Sequence, residues 1–167
     1  MAQIETQSYK VIKKLQQVEL RHYPPVMMAK YISKNPGSGF RKLFNYISGE
    51  NNSKTKISMT TPVHIKKGNN ENSMSFVLPT KFNSKNVPTP NDNSIDVFEG
   101  KSGYFAAITY SGYTDESKEI KFAKKLKKIL TDFEIDFIEE PIILVYNSPY
   151  KLLNRKNEIL IPVIYKK

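Results

Sequence analysis

No cysteine occurs anywhere in the 167 residues. That absence excludes disulfides, thiolate-held zinc, iron–sulfur clusters and a cysteine nucleophile together, and leaves the redox compartment open. Histidine is scarce as well. The chain has two, His22 and His64, in different segments and without the short spacing of a metal site. No run approaches the ~18–20 apolar residues of a membrane span. The opening stretch MAQIETQSYKVIKKL has neither a long apolar core nor a small-residue cleavage pattern, so no signal peptide is expected and a soluble, cytoplasmic protein is. Catalytic signatures are missing too: there is no Gly-rich phosphate loop, no G-x-S-x-G elbow and no H-E-x-x-H. Glu139 and Glu140 are adjacent, which in an extended strand sends them to opposite faces and makes a poor acid–base pair.

Acidic residues are outnumbered. Against 26 Lys and Arg stand 16 Asp and Glu, for a formal net charge of +10. Such a balance favours anionic partners: nucleic acid, anionic lipid or a ligand carrying carboxylates. Much of the excess sits in KEIKFAKKLKKIL (118–130), which reads as a helix with a solvated lysine face. Aromatic and arginine partners are missing there and no nucleic-acid motif occurs, so no nucleic-acid partner is expected. At 39% hydrophobic content a chain of this length can bury the core of a single domain.

Helical periodicity appears twice. In SGFRKLFNYISGEN (38–51), Phe40, Leu43, Phe44 and Ile47 fall at i, i+3, i+4 and i+7, which predicts a buried stripe, with Ser38 as N-cap and Gly49 as stop. The second helix starts near Thr114 or Asp115, with a stripe of Phe122, Ala123, Leu126, Ile129 and Leu130. Around them lie strand-like runs such as VELRHY, VMMAKYI, SMSFVLP, YFAAITY and EILIPVIY. TKFNSKNVPTPNDNS (80–94), rich in Pro and Asn, reads as a connector. Laying residues 18–32 over 95–109 without a gap matches Val18 to Ile95, Ala29 to Ala106 and His22 to Glu99. The pattern predicts one α+β domain over 1–167, built from duplicated strand-strand-helix-strand-strand units (halves about 10–80 and 95–165). The units are expected to form a distorted antiparallel β-barrel or curved sheet with two helices. By strand parity His22 shares a face with Val18 and Leu20, while Glu19, Arg21 and Tyr23 point the other way. His64 reads as an exposed strand-end residue, and Arg155 with Glu158 as a local ion pair.

ELRHYPPV, GFRKLFNYISGEN, KISMTTPV, FVLPTKF, VPTPND and YNSPYKLLNRKNEILIPV together resemble the SOUL haem-binding family, in family order across about residues 18–163. The resemblance implies the barrel-like fold shared with gyrase-inhibitor-like small-molecule-binding domains. It also implies binding of haem or another tetrapyrrole by a carrier or buffer rather than an enzyme. It offers His22, within Arg21-His22-Tyr23, as an axial ligand. Asn45 and Gly37 stand where some members place basic residues near the porphyrin. Beside the first helix, Arg41, Lys42 and Asn45 lie off the apolar stripe and are positioned for ligand carboxylates, while Phe44 and Tyr46 offer flat rings. Met59, like Met27 and Met28, is a possible thioether ligand, although methionine in apolar runs is usually core filler. Glu158 corresponds to a last-strand Glu that in gyrase-inhibitor-like relatives can face the ligand cavity. Two alternatives stay open. One is a hydrolase of hydrophobic small molecules, with Glu99 or Glu158 as base and Tyr104 as partner; the other is a protein-interaction module.

Overall fold

The computed structural model describes residues 3–35 and 38–166. In chain order its elements are β1 (Glu5–Thr6), β2 (Lys10–Leu15), β3 (Val18–Tyr23), β4 (Val26–Ser33), α1 (Gly39–Ile47), β5 (Thr60–Thr61) and β6 (Val63–Lys67), then β7 (Asn72–Val77), β8 (Ile95–Gly100), β9 (Gly103–Ser111), α2 (Glu116–Asp132), β10 (Ile142–Val145) and β11 (Lys156–Pro162). The class is α+β, with two helices and antiparallel strand pairing apart from one short parallel pair, β1 with β5, as expected of the class. Two compact units divide the chain.

The first unit holds the residues up to Gln7 and Pro25–Lys101. Its sheet runs β6-β7-β4-β8, all antiparallel, and β1 pairs with β5 in parallel. Alternation along β4 turns Met27 and Ala29 inward, where they meet Leu43, Tyr46, Ile47 and Phe76 in one core. The 80–94 connector holds no helix or strand, as its composition predicts, apart from a single bridge between Pro90 and Asn51. Asn51 is buried at its base and donates from Nδ2 to the carbonyls of Tyr46 and Thr55.

The second unit holds Ser8–Pro24 and the chain from Ser102 onward. Its sheet runs β2-β3-β9-β11-β10, again antiparallel. Tyr23, Ala107, Ile142, Leu144 and Leu160 form its core cluster. The side chain of Asp115 caps α2 by accepting from Lys118 N, and Leu126, Ile129 and Leu130 of the expected stripe are buried.

The duplication is visible in the registers, but the compact units do not coincide with the sequence halves. β3 belongs to the first half yet pairs with β9; β8 belongs to the second half yet pairs with β4. Within these pairs, His22 lies opposite Tyr104, the second residue of β9, and Glu99 opposite Met27, the second residue of β4. The two residues aligned by sequence therefore occupy equivalent positions, each in its own unit.

Candidate functional site

The expected stripe on α1 splits. Leu43 and Ile47 are buried, but Phe40 and Phe44 are 44% and 48% exposed. At about 100° per residue the buried arc is centred near Leu43, because it also takes in Gly39 and Tyr46. Gly39 fixes that rotation: a β-carbon there would stand 3.2 Å from Met74 Cβ and 3.3 Å from Tyr31 Cδ1, so the helix lies close on β4 and β7. Phe40 and Phe44 are consequently turned toward the rim. One helical turn apart, their rings stack at 5.9 Å with 13° between planes, and Phe40 meets Phe76 edge-on. Arg41 and Asn45 come next around the helix. Arg41 is exposed and makes no ion pair among the described residues, and Asn45 is half-buried.

The other residues expected near α1 are occupied. Tyr46 is buried, and its hydroxyl donates to the Pro88 carbonyl at 2.7 Å; burial pushes its phenol up to about 12. Lys42 donates to Asp92 at 2.8 Å and lies over the Tyr31 ring. The Lys42 bond, with two more from Ser94, brings the Asp92 carboxyl down to about 2. Met59 is half-buried against the core of the first unit. Gly37 lies outside the described residues.

In the second unit, Glu158 is fully buried and faces Arg21, not Arg155. Arg21 donates from both terminal nitrogens to the Glu158 carboxylate (Nη1 to Oε1 at 3.0 Å) and also donates to Tyr23 Oη and Glu19. Tyr146 and Thr109 complete the carboxylate's partners, and the Tyr9 ring lies 3.9 Å from the guanidinium centre. Burial alone would raise the Glu158 carboxyl; the hydrogen bond and charge of Arg21, then the Tyr146 hydrogen bond, bring it below its ordinary value. The Tyr146 phenol is raised strongly, first by burial and then by the Glu158 charge, and Tyr23 is raised to about 12. Arg155 instead donates to the carbonyls of Ser148 and Lys151. The local pair fails because Arg155 precedes β11 and turns to the loop, while Glu158 reaches across β9 toward β3. A sequence signal for this cluster existed: parity sets Arg21 beside Tyr23 on one strand face, and such an arginine needs an acid.

His22 is half-buried beside the Tyr104 ring, at 4.9 Å between centroids, with its Nε2 3.4 Å from Ser102 Oγ. His64 differs from the exposed residue expected of it. It is half-buried, with Nε2 2.7 Å from Gln7 Oε1, and burial followed by the charge of Lys66 lowers it to about 4. Among the described residues, no group of three His, Asp or Glu side chains is arranged to hold a metal ion. No helix among them is long and apolar enough to cross a membrane.

A family model described as SOUL heme-binding protein matches residues 4–162. The chain belongs to the SOUL family. This SOUL chain is 31% identical over 157 residues to Heme-binding protein 2 of Homo sapiens, a match covering 84% of the chain and 75% of that protein. It is 26% identical over 129 residues to Heme-binding protein 1 of Xenopus laevis, covering 72% and 67%. Among solved structures, the EcmrR C-terminal domain superposes with a TM-score of 0.64 at 14% identity, over 90% of the SOUL chain and 98% of that one. A hydrolase from Listeria innocua does so at 0.63 and 11%, over 92% and 94%. At those identities the likeness shows the shared fold alone.

The candidate site residues of the SOUL chain are thus divided. Arg41, Phe44, Asn45, Tyr46 and Met59 lie in the first unit, His22 and Glu158 in the second. Phe40, whose place in the i, i+3, i+4 pattern reads as core, instead stands half-exposed against Phe44.

Proposed function

We propose that this SOUL-family chain binds haem or a closely related tetrapyrrole on the outer side of α1, and that it carries or buffers the ligand without transforming it. The observation behind this reading is the pair of stacked, half-exposed rings of Phe40 and Phe44 with Arg41 beside them. A planar apolar ring system with two carboxylates is matched by a flat aromatic surface and a bordering guanidinium. Covering the exposed half of each ring removes roughly 80–100 Å² of apolar surface from water, about 2 kcal/mol per ring at ~25 cal/mol per Å². Arg41 supplies charge-assisted hydrogen bonds to a propionate, and Asn45 a neutral one. Tyr46 lies in the core of the first unit and Met59 packs against that core. The family names of the human and Xenopus relatives point to the same ligand class.

Haem brings an iron that a neutral imidazole ligates well. As a proposal independent of the α1 platform, His22 is the candidate imidazole, since its Nε2 has only a long contact to Ser102, whereas the Nε2 of His64 is engaged with Gln7. The hydrolase alternative loses ground at Glu158, where Arg21, Tyr146 and Thr109 occupy a carboxylate that has no exposed surface.

Haemin titration followed at the Soret band tests this. Phe40→Ala with Phe44→Ala should weaken binding at least tenfold, and Arg41→Gln about threefold to tenfold. His22→Ala should shift the Soret maximum and lower affinity roughly tenfold. Wild-type affinity in the double phenylalanine variant would place the ligand elsewhere. An unchanged spectrum in His22→Ala would remove it as a ligand.

A further inference from the structure

The sheet of the first unit has a second face, turned away from α1, that the ring platform does not use. Ala29 and Phe76 lie opposite each other and point into the core beneath α1. Their neighbours Lys30 and Ser75, also opposite each other, therefore point the other way. The register extends this pair into a row across four strands: Asp96 of β8, Lys30 of β4, Ser75 of β7 and His64 of β6. The next row on the same face holds Ile32, Ser73 and Lys66. Directly opposite residues stand ~5 Å apart at their β-carbons, and diagonal ones ~7 Å. The Ser73 and Ser75 hydroxyls on β7 are thus flanked by Lys30 on one side and Lys66 on the other.

Ser75 lies at the centre of this arrangement. It is only 8% exposed, yet its hydroxyl makes no hydrogen bond among the described residues. A buried hydroxyl normally has a partner, and one left unpaired costs stability. The cations around it are uncommitted too. Lys30 and Lys66 form no ion pair among the described residues, and the Lys30 ammonium lies over the Phe98 ring at 5.0 Å. His64 closes the row, fixed through its Nε2 by Gln7.

We propose that this face holds a small oxyanion, a phosphate or carboxylate group, with the Ser75 hydroxyl donating to it and Lys30 and Lys66 supplying charge from either side. Ser73 is placed as a second hydroxyl donor. An oxyanion accepts from all four groups at once, and its bonds to the two ammonium groups are charge-assisted. A cationic ligand is disfavoured by the same inventory, since Asp96, exposed beyond Lys30, is the one acid in the two rows.

The chain has two histidines, so His64 and His22 give two imidazole proton signals in a nuclear magnetic resonance spectrum, assigned with His22→Gln. The probes are sodium phosphate and sodium acetate, added at pH 7 and constant ionic strength against sodium chloride. At least one of them should shift the His64 signal saturably, leave the His22 signal in place and raise the thermal midpoint. Whichever acts at lower concentration identifies the group. Ser75→Ala, Lys30→Gln and Lys66→Gln should each weaken binding roughly fivefold or more. Lys124→Gln, which removes an equal charge from α2, should leave binding unchanged. In chloride alone Ser75→Ala should not lower the thermal midpoint, because its hydroxyl has no partner to lose, and this separates lost binding from a lost fold. Several results would overturn the proposal: a His64 response no larger than with chloride, a response undiminished in Ser75→Ala, or an equal loss in Lys124→Gln.

Discussion

Replacing Arg21 by Met removes one member of a buried ion pair while keeping most of the side-chain volume. The guanidinium donates to Glu158, Tyr23 and Glu19, so its loss strands a fully buried carboxylate that keeps only Tyr146 and Thr109 as donors. Breaking such a pair from one side costs about 3–5 kcal/mol. The pH dependence carries the sharper test. In the wild type the Glu158 carboxyl lies below its ordinary value, so its contribution is present above the unfolded carboxylate pKa of about 4.3 and fades as pH falls through the lower folded value. Without Arg21, burial dominates and lifts the carboxyl above the unfolded value. The variant then loses stability as pH rises from about 4.3, because folding must keep a proton that the unfolded chain releases. The gap between wild type and Arg21→Met in urea denaturation should therefore be about 3–4 kcal/mol at neutral pH and narrow clearly on acidification. Adding Glu158→Gln should recover about 2 kcal/mol, since the amide oxygen still accepts from one of the Tyr146 and Thr109 hydroxyls, the amide nitrogen can donate to the oxygen of the other, and no charge is buried. A gap below about 1 kcal/mol, or one that stays constant with pH, would refute the assignment of Arg21 as the counter-charge of Glu158.

Phe44→Ala should cost about 2 kcal/mol in chemical denaturation, below the ~3–5 kcal/mol of a fully buried phenylalanine, because half of the ring already faces solvent. Tyr46→Phe should cost about 1–2 kcal/mol by leaving the Pro88 carbonyl without its donor, with haemin affinity unchanged in the Soret titration. His64 is held near 4 against an ordinary 6.5, so between those values the unfolded chain takes up a proton that the folded chain refuses. The stability difference between wild type and His64→Gln should therefore move by roughly 2 kcal/mol against wild type as pH falls from 7 to 4 and stay constant above 7, read by urea denaturation at each pH.

The helices and the apolar strands were legible because period and caps act locally. The two six-residue strands β3 and β8 could be matched to each other for the same reason, their alternation being set by pleat alone. The rotation of α1 was not legible. It depends on Gly39 lying close to Met74 and Tyr31, a tertiary contact that carries Tyr46 inward and Phe40 and Phe44 outward. The partner of Glu158 was hidden for a related reason. Arg155 is near in sequence, but the strand order brings Arg21, 137 residues away, onto the same carboxylate.

The exchange of β3 and β8 between the sequence halves has a consequence for synthesis on the ribosome. When residues 10–80 have emerged, β4 is paired on one side with β7 but has no β8, and β3 has only β2 until β9 follows. β4 gains β8 only at about residue 100 and β3 gains β9 only at about residue 111, so the nascent chain carries unsatisfied strand backbones through most of its translation. For the same reason, a cut in the 80–94 connector would not release two autonomous modules. It would leave two fragments that complement each other, the N-terminal one supplying β2 and β3 to the second unit and the C-terminal one supplying β8 to the first.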